Sequence, residues 1–140
     1  MVLRFDRVAF GLLVIFLGMS SAQQQARAQE PIVLSGQEIL TQVIGNTASG
    51  VGIKHNWSEY YNPDGTIEGR TDGNADESND GPYQGKWTIS GSKMCFVYAD
   101  SGDQGCWTVS VNEKGDEITY SRKGDHSTMG TLRKGNPTNY

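Results

Sequence analysis

The chain has little of what conventional active sites are built from. It holds two cysteines and two histidines in 140 residues, and it has no GxSxG nucleophile elbow. Despite 18 glycines, it also has no GxGxxG or GxxxxGK(S/T) loop of the kind that cradles phosphate. A serine or cysteine hydrolase needs a histidine beside its nucleophile, so these gaps disfavour both classes, and the missing glycine loops disfavour a nucleotide site. Long apolar runs are missing as well. The longest, Val8 to Met19, is about a dozen residues, against the roughly 20 that a spanning helix requires, so no mature membrane span is expected. Basic residues stand singly except at Arg122-Lys123 and Arg133-Lys134, whereas displacing counterions from nucleic acid takes clustered Lys and Arg. Nucleic acid and anionic lipid are therefore poor expected partners, and no cofactor is expected.

The short apolar run has a different explanation. Arg4 and Arg7 precede it, and the small, polar stretch SSAQQQARAQE follows it, which is the layout of a secretory signal peptide. Cleavage is expected after Ala28, where Ala26 and Ala28 make a small-x-small site that removes the whole Gln-rich tract; Ser20 and Ala22 offer an alternative site ending at Ala22. No cysteine stands near this region, so lipoprotein attachment is not supported. Losing residues 1–28 would leave nine basic against fifteen acidic residues and move the net charge from -4 to -6. The remainder suits one domain with a single modest core. The expected organisation is a signal peptide over 1–28, a flexible N-terminus over 29–34, one domain over 35–133 and a polar tail over 134–140. The implied location is the periplasm or the exterior.

In such a compartment Cys95 and Cys106 are most simply read as one disulfide. Closing that short loop is worth roughly 3 kcal/mol in the chain-entropy model. The register poses a difficulty: if residues 99–105 were the entire hairpin loop, Tyr98 would oppose Cys106, so the bond requires a longer loop or a bulge.

SGQEILTQVIGN, residues 35–46, predicts one short amphipathic helix. Ser35 and Glu38 form a capping box, Ile39, Leu40, Val43 and Ile44 share a face, and Gly45 sits where the helix would end. After it, turn signals recur about every ten residues, at NPDG, SGS, DSGDQG, EKGD and RKGD, a rhythm of antiparallel hairpins rather than βαβ units. Trp57, Glu59 and Tyr61 alternate with Ser58 and Tyr60; Trp87 and Ile89 and then Trp107, Val109 and Val111 repeat the pattern. The expected strands are 47–53, 55–61, 66–70, 83–90, 93–98, 106–112, 117–121 and 127–132. A meander of this kind has exposed edges, and closure removes them. The expected fold is thus mainly β: a small antiparallel up-and-down barrel of seven or eight strands, with the single short N-terminal helix plugging one end.

EYYNPDGTIEG (59–69), YQGKWTISGSKMCFVY (83–98) and GCWTV (105–109) together resemble a family of small secreted alphaproteobacterial proteins with a domain of unknown function. More loosely, the architecture is similar to lipocalin-like and periplasmic inhibitor barrels. The resemblance implies an exported location and brings no catalytic residues with it.

Four groups of residues could carry chemistry. RTDGNADESNDGPY, residues 70–83, begins like a calcium loop, with Asp72, Asn74 and Asp76 as candidate ligands. It then places Glu77 where the motif needs Gly and Tyr83 where it needs a bidentate Glu. A solvated inter-strand loop is the simpler reading, and no metal is expected. His55 and His126 are read as surface histidines at strand ends. Glu59 and Glu68 flank one hairpin and are the best-placed carboxylate pair for acid and base roles, without any supporting motif. Most aromatic residues belong to the core, while Tyr60, Tyr83 and Tyr98 are expected to face outward or to line a barrel mouth. With Asp76, Glu77 and Asp80 of the long loop they form the candidate contact surface. The functional expectation is a non-catalytic periplasmic or secreted protein that binds another protein or a small ligand. Alternatives are an inhibitor of a hydrolase such as lysozyme or a protease, acting through loop 71–82 or 99–105, and a small hydrolytic enzyme.

Overall fold

Turn chemistry cuts the chain into strands. In NPDG, Gly65 takes a positive φ of 92°, its N–H donates to the Asn62 carbonyl at 3.1 Å, and Asp64 Oδ1 accepts from the Thr66 N–H at 2.9 Å. Only glycine adopts that backbone cheaply, so the hairpin is fixed at one residue. Gly91 does the same in the next tight turn, with φ 61°. The computed structural model describes residues 30–52, 55–73, 81–99, 101–102, 104–124, 127–137 and 139, with only the backbone of residues 55 and 73.

The elements are β1 (Ile32–Val33), α1 (Gly36–Gln42), β2 (Asn46–Val51), β3 (His55–Tyr61), β4 (Thr66–Gly73), β5 (Gly81–Ser90), β6 (Lys93–Tyr98), β7 (Gln104–Val111), β8 (Glu117–Ser121) and β9 (Thr128–Lys134). Strands β2 to β9 pair antiparallel in chain order, and β9 returns to pair with β2, so eight strands close into a barrel. Strands β3, β6 and β8 occupy their expected spans, and the others differ by one to three residues at an end.

Strand β1 is the ninth. The segment 29–34 is expected from the sequence to be flexible, yet Ile32 and Val33 pair with Val111 and Ser110, the Leu34 N–H donates to the Val109 carbonyl at 2.9 Å, and Leu34 is buried. The reason is a gap: β6 pairs with β7 only as far as Thr108, and β1 satisfies the backbone groups beyond it. At the other terminus Gly135 is tied to β2, its N–H donating to Asn46 Oδ1 at 3.0 Å and its carbonyl accepting from Thr47 Oγ1 at 2.7 Å.

Helix α1 begins with the expected capping box: the Ser35 side chain accepts from the Glu38 N–H at 3.3 Å, and Glu38 Oε2 accepts from the Ser35 N–H at 2.7 Å. It is shorter than the sequence predicts. Val43 is the C-cap, Gly45 donates to the Tyr61 carbonyl and Asn46 already belongs to β2. Its inner face is also narrower, because Ile39 and Val43 are fully buried while Leu40 is 42% exposed.

The barrel interior has two storeys. Next to α1 and the tight turns, Leu34, Ile39, Val43, Ile67, Met94, Val109 and Ile118 form a fully buried aliphatic core. Toward the end where the connections β2–β3, β4–β5, β6–β7 and β8–β9 lie, the inward positions become aromatic: Trp57, Tyr83, Phe96, Tyr98, Trp107 and Tyr120.

Five inward glycines make room for these rings. Gly50 faces Trp57 across the β2–β3 ladder, Gly69 faces Tyr83 across β4–β5, and Gly85 faces Tyr98 across β5–β6. In each case a Cβ on the glycine would run into the opposite ring, as it would at Gly105 beside Trp107, while at Gly130 it would meet the Ser49 carbonyl first and crowd Trp57. Each ring therefore lies down over bare backbone, an arrangement that also lets strands bend enough to close.

The disulfide joins Cys95 to Cys106, directly opposed residues of β6 and β7. The expected register, with Tyr98 opposite Cys106 and a longer loop or a bulge needed for the bond, is corrected: pairing runs on through Phe96–Gly105 and Val97–Gln104, so the loop is shorter than residues 99–105 and sets Cys95 directly against Cys106. Met94 and Phe96 are buried, so the alternation puts Cys95 on the outer face of the barrel.

Candidate functional site

Alternation along β3 sends Trp57, Glu59 and Tyr61 inward together. Glu59 is thus a carboxylate in the core, only 7% exposed, at the boundary between the storeys. Three strands bring it donors. Oε1 accepts from the Tyr83 hydroxyl of β5 at 2.7 Å and from the Tyr98 hydroxyl of β6 at 2.8 Å. Oε2 accepts from the Tyr61 hydroxyl at 2.8 Å. The Tyr61 oxygen lies 2.8 Å from the Tyr120 hydroxyl of β8; since Tyr61 donates to Glu59, Tyr120 donates to Tyr61. One acid therefore gathers hydroxyls from β3, β5, β6 and β8 across the barrel.

Burial pushes the Glu59 carboxyl above its ordinary 4.5, and the hydrogen bonds from Tyr83, Tyr61 and Tyr98 pull it part of the way back. The tyrosines are raised as well. Burial first and the Glu59 charge second hold Tyr61 and Tyr98 far above the usual phenol range. Tyr120 is also raised by burial, although its bond to Tyr61 works against this. Near neutrality the Tyr61, Tyr98 and Tyr120 hydroxyls are therefore neutral donors.

Around the cluster the rings pack on one another. Phe96 is the hub, with centroids 6.0 Å from Tyr61, 6.1 Å from Tyr98, 5.3 Å from Trp107 and 5.7 Å from Tyr120. Trp57 meets Tyr120 edge-on at 6.3 Å. At the rim, the Arg122 guanidinium lies 4.8 Å from the Trp107 ring centroid, within cation–π range. Among the described residues, the buried Trp57 Nε1 has no hydrogen-bond acceptor, an uncommon state for a buried donor.

Five inward-facing rings stay partly exposed. In a closed barrel, inward side chains reach solvent through an end: Trp87 stands at the tight-turn end, where its Nε1 donates to the Asn62 carbonyl at 2.8 Å, while Trp57, Tyr83, Tyr98 and Trp107 stand at the end away from α1. These last four form a mouth with Glu59 beneath it.

The candidates from the sequence are scattered relative to this site. Tyr83 and Tyr98, expected to face outward or to line a mouth, point into the barrel and bond Glu59. Tyr60 faces out, opposite Thr47 and Glu68. The Glu59–Glu68 pair is not a pair: Glu59 opposes Gly69, so Glu68 stands on the other face of the sheet, and the two cannot flank one substrate. Asp72 is exposed and ion-paired with Arg70 Nε at 2.9 Å. Asn74, Asp76, Glu77, Asp80 and His126 lie outside the described residues, as does the His55 side chain. Among the described residues, no three His, Cys, Asp or Glu side chains come together. A shallow groove of about 430 Å3, lined by outward residues such as Glu68, Gln84, Lys86 and Val97, runs over the outside of β4 to β6. Glu59 is on the inner face of the same sheet.

Sequence reasoning missed Glu59 as the centre of the polar cluster. The signal was the pattern Trp57–Glu59–Tyr61, which puts a carboxylate on an aromatic face and obliges other strands to supply donors. The chain matches no family model, no curated protein and no solved structure.

Proposed function

We propose that this is an exported, non-catalytic binding protein whose ligand enters the mouth of the barrel, the end opposite α1. The observation that carries the reading is the partial exposure of the inward-facing rings Trp57, Tyr83, Tyr98 and Trp107 above a hydrogen-bonded, buried carboxylate. Concave sites lined by aromatic surface, with few polar groups held in fixed positions, suit small ligands or the protruding side chain of a partner. Preorganisation supports it too, since three hydroxyls already fix the Glu59 carboxylate, so little ordering remains to be done on binding. Export is supported by the signal-peptide layout of residues 1–28 and by the Cys95–Cys106 bond, which persists in oxidising compartments.

The test is native mass spectrometry of the purified protein after equilibration with a bacterial small-molecule extract. A retained adduct that disappears in Trp107→Ala, with the fold intact by circular dichroism, supports the reading. An adduct pattern identical in both proteins, or no adduct in either, removes it.

A further inference from the structure

The mouth has a polarity as well as a shape. Glu59 is buried and its hydrogen-bond partners are tyrosine hydroxyls from β3, β5 and β6. Neutral donors stabilise a carboxylate but do not cancel its charge, and among the described residues no basic side chain pairs with it. The walls above it are aromatic, and ring faces carry the negative side of the π quadrupole. One cation already uses this surface: Arg122 sits over Trp107. An uncompensated acid beneath aromatic faces is the combination that recognises organic cations, because the rings replace part of the cation's hydration and the acid supplies the counter-charge.

We propose that the barrel mouth binds a compact organic cation, an alkylammonium or a guanidinium group, seated against Trp57, Tyr98 and Trp107 with Glu59 as counter-ion. The proposal rests on the reading that ligands enter this mouth, and it adds the charge they carry. The chain's acidic balance, fifteen acidic residues against nine basic after position 28, enriches cations near the surface. Binding is coupled to protonation. The groups facing Glu59 are Tyr61 on its own strand, Tyr83 on β5 and Tyr98 on β6, with Tyr120 of β8 one bond further, all of them hydroxyls. Cation affinity therefore rises with pH as Glu59 loses its proton, and binding releases that proton.

The experiment titrates the purified protein with choline, with methylguanidinium and, separately, with choline's uncharged isostere 3,3-dimethylbutan-1-ol, following tryptophan fluorescence between pH 4 and pH 8. Choline is expected to bind about tenfold or more tightly than the isostere at pH 8, with the preference shrinking as pH falls. Glu59→Gln is expected to abolish the preference, and Trp107→Ala to weaken both probes. If Glu59→Gln does not fold, the pH series on the unmodified protein decides the matter. Equal affinity for the two probes at pH 8 overturns the charge assignment and leaves the mouth reading standing. Failure of choline and of methylguanidinium to bind at millimolar concentration also overturns it, and the adduct measurement with Trp107→Ala then judges the mouth reading on its own.

Discussion

Glu59 sets the chemistry at the scale of single residues. Its carboxyl pKa is raised above the unfolded value of 4.5, so the folded state prefers the protonated form. The stability that follows is fully present below that value and is lost as pH rises through the folded pKa. Other carboxylates titrate in the same range, so the informative quantity is a difference. The stability of the unmodified protein minus that of Glu59→Gln, from urea melts at successive pH values, is expected to be flat in acid and to decline as pH rises through the Glu59 titration. A difference independent of pH would mean that folding does not shift the Glu59 pKa. Tyr83→Phe removes one of two donors to Oε1 and leaves a buried acceptor short of a partner, at a cost of about 1–3 kcal/mol. The same substitution at Tyr60, which faces outward, is expected to cost much less, and chemical denaturation of the two variants makes the comparison.

Strand pairs explain why some of the fold was legible in the sequence and some was not. Strand positions follow from turn residues and alternation, both local, so β3, β6 and β8 matched. Alternation also assigned Trp57, Glu59 and Tyr61 to one face. Which tyrosines meet Glu59 depends on register across β4 and β5, which no local pattern encodes, so the sequence leaves Tyr83 and Tyr98 either facing outward or lining a mouth and does not name their partner. The β6–β7 register is hidden for a related reason: a run rich in Gly and Asp marks a loop but not where pairing stops and resumes. The helix end was overrun because the apolar period continues through Ile44, while Gly45 and the start of β2 override it.

The glycine-over-aromatic pairs lead to a prediction at the same scale. Gly69→Ala puts a Cβ against the Tyr83 ring, which must move away from Glu59; overpacking of this kind costs about 1–3 kcal/mol. Pairing it with Tyr83→Ala is expected to recover part of that loss, and the double-mutant cycle should be non-additive. Additivity would show that the ring does not depend on the bare glycine. Reduction of Cys95–Cys106, which lies on the outer face, is expected to lower the thermal midpoint by removing a constraint worth roughly 3 kcal/mol without changing the packing of the mouth.

For the whole molecule, the two storeys separate the work of folding from the work of binding. The lower storey is closed by α1 and holds the fully buried aliphatic residues. The upper storey holds the partly exposed rings and Arg122, with Phe96, Tyr120 and Glu59 buried at its base. Stability should therefore be concentrated below and recognition above. Ile39→Ala empties a completely buried site under the helix and is expected to cost about 2–5 kcal/mol, a large share of what a domain of this size has. If the mutant remains folded, its affinity for a mouth ligand should be unchanged. Trp107→Ala opens a site that already meets solvent, so water can fill it and less packing is lost. Its stability cost is expected to be the smaller of the two, although tryptophan is the larger side chain, while its effect on ligand affinity is the greater. Urea melts give the first comparison and fluorescence or calorimetric titrations the second. Were Trp107→Ala to unfold the barrel as readily as Ile39→Ala, the rings would be core in the ordinary sense, and the division between a supporting floor and a receptive mouth would have to be abandoned.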